Sequence, residues 1–387
     1  MSSLPQGQQP IDEPEMTSAF EPHGLGLEKY FRAMTRLSAS DLHIRPGAVP
    51  HLRINTVIRP AKSEPIQAEE IEAMAMELMT PKQKAYFSES GSIDVAYEQP
   101  GADRFRINIY RQRGLVSLAV RRVTRIIPDF ASLHLPLILE RIADMHEGLV
   151  LVSGPTGSGK STTIAAMLEY VNKKRPCHIV TIEDPIEFLY EDKKALVSQR
   201  EIGIDVESFE SALKYLMRED PDVVLIGELR DQDTFRAALQ ASETGHLVFG
   251  TVHASSAAQT LSRVLELFPP ESRGLVRQSL GFNLKAIICQ KLLPSIAEGV
   301  FRIPALEIML SNPSIRQLIH EERDNEMPDV IRACESEGMR SFTRGLLELI
   351  EKELVDPRVA YENAPNPEEL KMLLKGISTG RSGLLGR

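Results

Sequence analysis

Leu149-Val150-Leu151-Val152-Ser153-Gly154-Pro155-Thr156-Gly157-Ser158-Gly159-Lys160-Ser161-Thr162 decides how this chain is read. An apolar run ends directly in a G-x-x-x-x-G-K-S spacing, which puts a buried strand ahead of a phosphate-binding loop and a helix after it. Glycines at 154, 157 and 159 permit a tight loop whose backbone N–H groups turn inward toward phosphate oxygens, and the following helix presents its positive end. Lys160 is placed to neutralise the β and γ phosphates and Ser161 to ligate magnesium, while Pro155, Thr156, Ser158 and Thr162 complete the cradle. A chance Gly-rich turn before a helix is the bland alternative. It explains neither the full spacing nor the strand and amphipathic helix on either side. ATP and Mg2+ are the expected ligands.

Outward from this loop, short apolar runs alternate with helical periodicity, the pattern of a parallel sheet with crossover helices. Strands are expected at Leu149–Val152, His178–Ile182, Val223–Ile226 and Leu247–Val252. Helices are expected at Ser161–Asn172, with Ile164, Leu168 and Val171 on one face, and after Ser208, which caps a segment carrying Phe209, Leu213 and Leu216. Pro221 closes that second helix. Upstream, Phe105, Ile107 and Ile109 alternate with Arg104, Arg106 and Asn108, a half-buried strand that turns at Arg111–Gly114 into a second strand, Leu115–Val120. The fold class expected is α/β, with a core on a parallel sheet, a smaller α+β domain before it and a helical subdomain after it. The boundaries read as a disordered leader at 1–23, the small domain at 24–126, a two-proline linker at 127–136, the core at 137–270, the helical subdomain at 271–375 and a flexible tail at 376–387.

Three carboxylate-bearing or histidine-bearing stretches accompany the loop. Glu183-Asp184-Pro185-Ile186-Glu187 follows a strand at the sheet edge where nucleotides bind in such folds. Pro221–Glu228 is a hydrophobic strand ending in Gly227-Glu228, at the position where a magnesium-holding Asp is more usual. Each acid alone reads as a solvated loop residue, but beside a phosphate loop Glu183 and Glu228 become candidates for water polarisation and metal binding. His246 and His253 bracket the strand Leu247–Val252. A γ-phosphate sensor is the preferred reading for both, a core or capping histidine the alternative, and metal ligation finds no third ligand by spacing. Arg104, Arg106, Arg113, Arg121 and Arg122 crowd the upstream hairpin, where strand arginines ordinarily solvate a face.

The composition narrows the function classes. Lys and Arg number 45 against 54 Asp and Glu, a formal charge of −9, which opposes a broad non-specific grip on nucleic acid. No apolar run reaches the roughly 18 residues of a membrane span. Cys177, Cys289 and Cys334 form no Cys-x-x-Cys pair and read as reduced thiols.

Four boxes in order, GPTGSGKS at 154, TIEDPIEF at 181, PDVVLIGELRD at 221 and TGHLVFGTVHASSA at 244, resemble those of the twitching-motility retraction ATPases of type IV pili, the PilT/PilU-like secretion ATPases. The resemblance covers roughly residues 25 to 375. It implies a RecA-like ATPase core behind a PAS-like domain, assembled as a cytoplasmic homohexameric ring at the inner membrane that converts ATP hydrolysis into pilus retraction. It implies catalytic roles for Glu183 and Glu228 and for the histidines at 246 and 253. Arg104, Arg106 and Arg113 become candidates for fingers donated to a neighbouring subunit. The implied partners are the inner-membrane pilus platform protein and a paralogous retraction ATPase. Ser314–Glu321 resembles the retraction signature AIRNLIRE, departing at Ser314, Gln317 and His320 but keeping Arg316, and Asn366–Lys375 resembles the PilU extension. The four-cysteine zinc module of extension ATPases is absent. A motor of another secretion system, a nucleic-acid translocase and a non-hydrolysing nucleotide-binding scaffold are the competing readings; intact Lys160, Glu183 and Glu228 oppose the last.

Overall fold

The computed structural model describes residues 26–54, 57–98 and 103–376. The leader expected at 1–23 and, beyond Gly376, the expected tail lie outside the described residues. Two compact units emerge, one running to Ile126 and including Glu187–Leu189, the other comprising Ile127–Ile186 and the chain from Tyr190 onward.

In the first unit, helices α1 (Glu28–Arg36), α2 (Ala68–Leu78) and α3 (Pro81–Ser90) accompany six strands: β1 (Asp41–Ile44), β2 (His51–Ile54), β3 (Val57–Pro60), β4 (Ser92–Glu98), β5 (Arg104–Gln112) and β6 (Leu115–Val123). They pair antiparallel in the order β3-β2-β1-β6-β5-β4. The period of two in β5 works as the sequence suggests. Phe105, Ile107 and Ile109 are buried, Phe105 stacking on Phe31 of α1 at 4.4 Å between ring centroids, while Arg104, Arg106 and Asn108 line the other face. Gln112 pairs with Leu115, leaving a two-residue turn in which Arg113 and Gly114 have φ of 51° and 80°. Positive φ at both positions is what a turn matching strand twist requires.

In the second unit, α4 (Ile138–Ala143) precedes β7 (Gly148–Ser153), α5 (Lys160–Lys174), β8 (His178–Glu183), β9 (Leu196–Glu201), α6 (Phe209–Leu216), β10 (Val223–Ile226), α7 (Gln232–Glu243), β11 (Leu247–Val252) and α8 (Ala257–Glu266). Then come α9 (Arg273–Asn283), β12 (Leu284–Pro294), β13 (Arg302–Leu310), α10 (Pro313–His320), α11 (Met327–Ala333), α12 (Phe342–Glu351), α13 (Pro357–Asn363) and α14 (Pro367–Leu374). Seven strands form one sheet in the order β13-β12-β7-β11-β10-β8-β9. All neighbours are parallel except β13, which runs antiparallel to β12. β7, β10 and β11 are buried at every position, which explains why they read as unbroken apolar runs rather than alternating ones. The Ser208 side chain accepts the N–H of Ser211, the N-cap expected for α6.

Two expectations need correction. Residues after Pro270 are not simply helical, since β12 and β13 belong to the central sheet. Ala286, Ile287, Ile288 and Cys289 are all buried, and such a run with both faces covered cannot be told from a buried helix by periodicity. The presumed linker 127–136 is packed into the second unit, with Phe130 and Leu135 in its core. A separate small cluster, including Leu293, Ile303, Phe342, Leu346 and Leu370, ties α12 and α14 to the far ends of β12 and β13.

Ile288 lies opposite Val152 of β7 and Ile308 of β13 and is fully buried. Ile288→Ala should destabilise the second unit by about 2–5 kcal/mol, read from its denaturant unfolding transition. A loss under about 0.5 kcal/mol, typical of a surface site, would remove β12 from the core.

Candidate nucleotide site

Because the core strands are parallel, their C-terminal ends meet at one edge, and the phosphate loop leaves β7 there. Gly154, Gly157 and Gly159 have φ of 153°, 76° and 86°. At Gly154 a Cβ would lie 2.3 Å from the Gln290 carbonyl oxygen of β12, so only glycine lets the loop pass. The Gln290 side chain completes the clamp. Its Nε2 donates to the Ser158 carbonyl at 2.7 Å, and its Oε1 accepts from Thr163 Oγ1 at 2.7 Å. Pro155, Thr156 and Gly157 form an exposed crest.

Helix α5 starts from Gly159, which supplies no side-chain cap. Its first-turn N–H groups are therefore donors of the kind that phosphate oxygens satisfy, at the positive end of the helix dipole. Lys160 is only 9% exposed. Its Nζ donates to the carbonyls of Gly154 at 2.9 Å and Pro155 at 3.2 Å, folded back over the loop. Ser161 and Thr162 sit half-exposed on the first turn. Beside Gly159, Thr162 and Thr163, a cavity of about 200 Å³ is walled by Leu133, Leu135 and Leu292. Ser132, His134 and Arg302 add polar groups to its wall.

Glu183 closes β8 and is 8% exposed. Thr181 Oγ1 donates to its Oε1 at 2.7 Å and Gln199 Nε2 to the same atom at 3.3 Å. Glu228 follows β10, and the glycine before it has a steric reason. A Cβ at Gly227 would stand 3.2 Å from the Ile182 carbonyl oxygen and 3.3 Å from Glu183 Cα. Beyond it a chain of polar contacts crosses the strand ends: Asp184 Oδ2 to Arg230 Nη2 at 3.0 Å, Arg230 Nε to Glu228 Oε2 at 3.0 Å, and Glu228 Oε1 to His253 Nε2 at 3.3 Å. Such partly exposed pairs are worth about 0–1 kcal/mol each. The chain is accordingly easy to rearrange when a phosphate competes for its cations.

His246 does not join this edge. It precedes β11 while His253 follows it, and six extended residues separate the two by about 20 Å. His246 Nδ1 contacts the Ala241 carbonyl at 2.9 Å and Thr244 Oγ1 at 3.1 Å, so within its own chain it closes the end of α7, the capping role that was the alternative reading. In the first unit, Arg104 and Arg106 stand at the start of β5 and Arg113 in the turn beyond its end. The nine residues of β5 span about 30 Å, so those two groups cannot serve one phosphate together. Arg106 pairs with Asp94 at 3.5 Å. Sequence reading missed Gln290, Arg230 and Gln199. Arg230 alone carried a signal, two positions after the strand-end acid.

The sequence also has relatives. The family model described as Type II/IV secretion system protein matches residues 133–364. The Type IV pilus retractation ATPase PilT of Pseudomonas aeruginosa is 42% identical over 330 residues, 85% of this chain and 95% of the relative. The Type IV pilus ATPase PilU of the same organism is 36% identical over 348 residues, 90% of this chain and 91% of the relative. The crystal structure of the pilus retraction motor PilT with bound ADP matches with a TM-score of 0.81 at 39% identity, over 91% of this chain and 99% of that one. All four sequence boxes fall inside the matched region, and Lys160, Glu183, Glu228 and His253 from them lie at the edge described above; the chain therefore belongs to the type II/IV secretion system protein family, among the ATPases that include PilT and PilU.

Proposed function

We propose that this chain is a motor ATPase of type IV pilus retraction, hydrolysing ATP to ADP and phosphate as a homohexameric ring at the cytoplasmic face of the inner membrane. The observation that carries the reading is the shared edge. A glycine cradle with Lys160 folded across it lies at the strand ends that also carry Glu183, Glu228 and His253. No helix of the described residues is long and apolar enough to cross a membrane. The expected partner at the membrane is the pilus platform protein.

The chain's own groups divide the work. The α5 N-terminus and Lys160 bind the β and γ phosphates, Lys160 exchanging the Gly154 and Pro155 carbonyls for phosphate oxygens. Glu183, already oriented by two donors, polarises the attacking water, and positioning with electrostatics does the rest because phosphoryl transfer needs little covalent help. Ser161 and Glu228 offer the hard oxygen donors that suit magnesium, an ion that takes one or two protein ligands beside phosphate. When bound, Mg2+ neutralises charge on the transferred group. His253, tied to Glu228, senses the γ phosphate. An arginine from a neighbouring copy's β5–β6 hairpin completes the site in trans, and a PilU-like paralogue is a further partner. The arginine-bearing part is the unit that runs to Ile126, and the nucleotide-binding part is the unit that begins at Ile127 and takes in β12 with Gln290.

α10 connects this chemistry to output. Asn312 Oδ1 accepts the N–H of Ile315 at 3.0 Å and Pro313 opens the helix, which buries Ile315, Leu318 and Ile319 and exposes Arg316.

Three measurements test this reading. Lys160→Ala should weaken ATP binding by about 100-fold or more, since charge-assisted hydrogen bonds are worth about 1.5–3 kcal/mol each; unchanged affinity for a fluorescent ATP analogue would overturn the phosphate-loop assignment. Mixing Lys160→Ala subunits with subunits lacking either Arg113 or both Arg104 and Arg106 should restore turnover in one mixture only, because a finger is worth about 1000-fold and the two ends of β5 are too far apart to share it. Rescue in neither mixture would remove this hairpin from the site. Arg316→Ala should leave folding and nucleotide affinity intact, as surface changes shift stability by about 0.5 kcal/mol, yet abolish twitching; wild-type retraction would reduce α10 to packing.

A further inference from the structure

β9 runs parallel to β8 with Thr181 opposite Gln199 and Glu183 opposite Glu201. Side chains alternate along strands, so these four polar residues share one face of the sheet. Thr181 and Gln199 both donate to Glu183 Oε1, at 2.7 and 3.3 Å. The orientation of the Gln199 amide is dictated by its other contact. Its Oε1 accepts the backbone N–H of Tyr190 at 2.9 Å, and an N–H can only donate, so the NH2 end must face the carboxylate. The loop bearing Tyr190 is itself pinned to the phosphate-loop helix. Asn172 of α5, fully buried, accepts the N–H of Lys193 at 3.1 Å and donates to the Glu191 carbonyl at 2.8 Å.

We propose that Gln199 is a positioning residue for the hydrolytic reaction, fixing the plane of the Glu183 carboxylate through an amide that is itself oriented by Tyr190 and, through that loop, by α5. The inference rests on the reading of Glu183 as the water-polarising base. Its physical basis is that a carboxylate at a strand end can rotate about its side-chain bonds, and displacing a catalytic group by about 1 Å can cost on the order of 100-fold. A purely structural glutamine would matter only for the Tyr190 N–H. Gln199→Glu separates the two roles, because an ionised glutamate still accepts from Tyr190 but cannot donate to Glu183. It also adds a carboxylate where Glu201 already faces Glu183 from β9. Other ionisable groups nearby are Tyr190 and Glu169, which is paired with Lys193 and Lys173. Like charge disfavours ionisation, so the acid limb of turnover should move upward in pH.

The test measures phosphate release by the full-length protein across pH, with ATP affinity measured alongside as a check on folding. Gln199→Ala should lower kcat about 10-fold at unchanged KM for ATP, and Gln199→Glu should move the acid limb of kcat up by about one pH unit. Glu183→Gln should lose about 100-fold or more in turnover while binding ATP, and adding Gln199→Ala to it should cost nothing further. If Glu183→Gln is inactive but Gln199→Glu keeps the wild-type kcat and pH profile, the positioning role is wrong and the base assignment stands. Substantial turnover in Glu183→Gln would overturn both.

Discussion

The close approach of Gly154 to the Gln290 carbonyl is the constraint on which the rest of the nucleotide edge depends. With a Cβ position only 2.3 Å from that oxygen, the loop passes β12 too closely for any residue but glycine at 154. The Gln290 side chain then ties both limbs of the loop, Ser158 on one side and Thr163 on the other. Lys160, Ser161 and the open first turn of α5 are placed by that closure. A strand that looked like part of a helical appendage thus shapes the phosphate cradle.

Parallel pairing supplies the second half of the arrangement. It sends the ends of β8, β10 and β11 to the same edge as the loop, and the residues just past those ends, Asp184, Glu228, Arg230 and His253, form one chain of polar contacts. The same geometry separates the two histidines. A residue that precedes a strand stands a full strand length from one that follows it, which is why His246 caps α7 and His253 meets Glu228.

What could be read from the amino-acid order follows the range of the interactions involved. The phosphate loop, the alternation in β5, the Ser208 cap and four core strands are local patterns, and the structure has each where the pattern places it. β12 and β13 were not legible because an apolar run buried on both faces carries no period. Gln290 and Gln199 were missed for a related reason, since each acts on a partner in another strand or loop and nothing in its own neighbourhood marks it. The acids were found by position after strands, but which donors orient Glu183 depends on the register between β8 and β9. That register is a property of the fold.

The central claim is that phosphate takes the place of the loop's own carbonyls as the partner of Lys160, and a structure of the full chain with magnesium and a non-hydrolysable ATP analogue tests it most directly. The account predicts Lys160 Nζ within about 3 Å of β- or γ-phosphate oxygens, withdrawn from the Gly154 and Pro155 carbonyls that now hold it at 2.9 and 3.2 Å. A nucleotide bound while Lys160 keeps both carbonyls, its phosphates away from the α5 N-terminus, would contradict it.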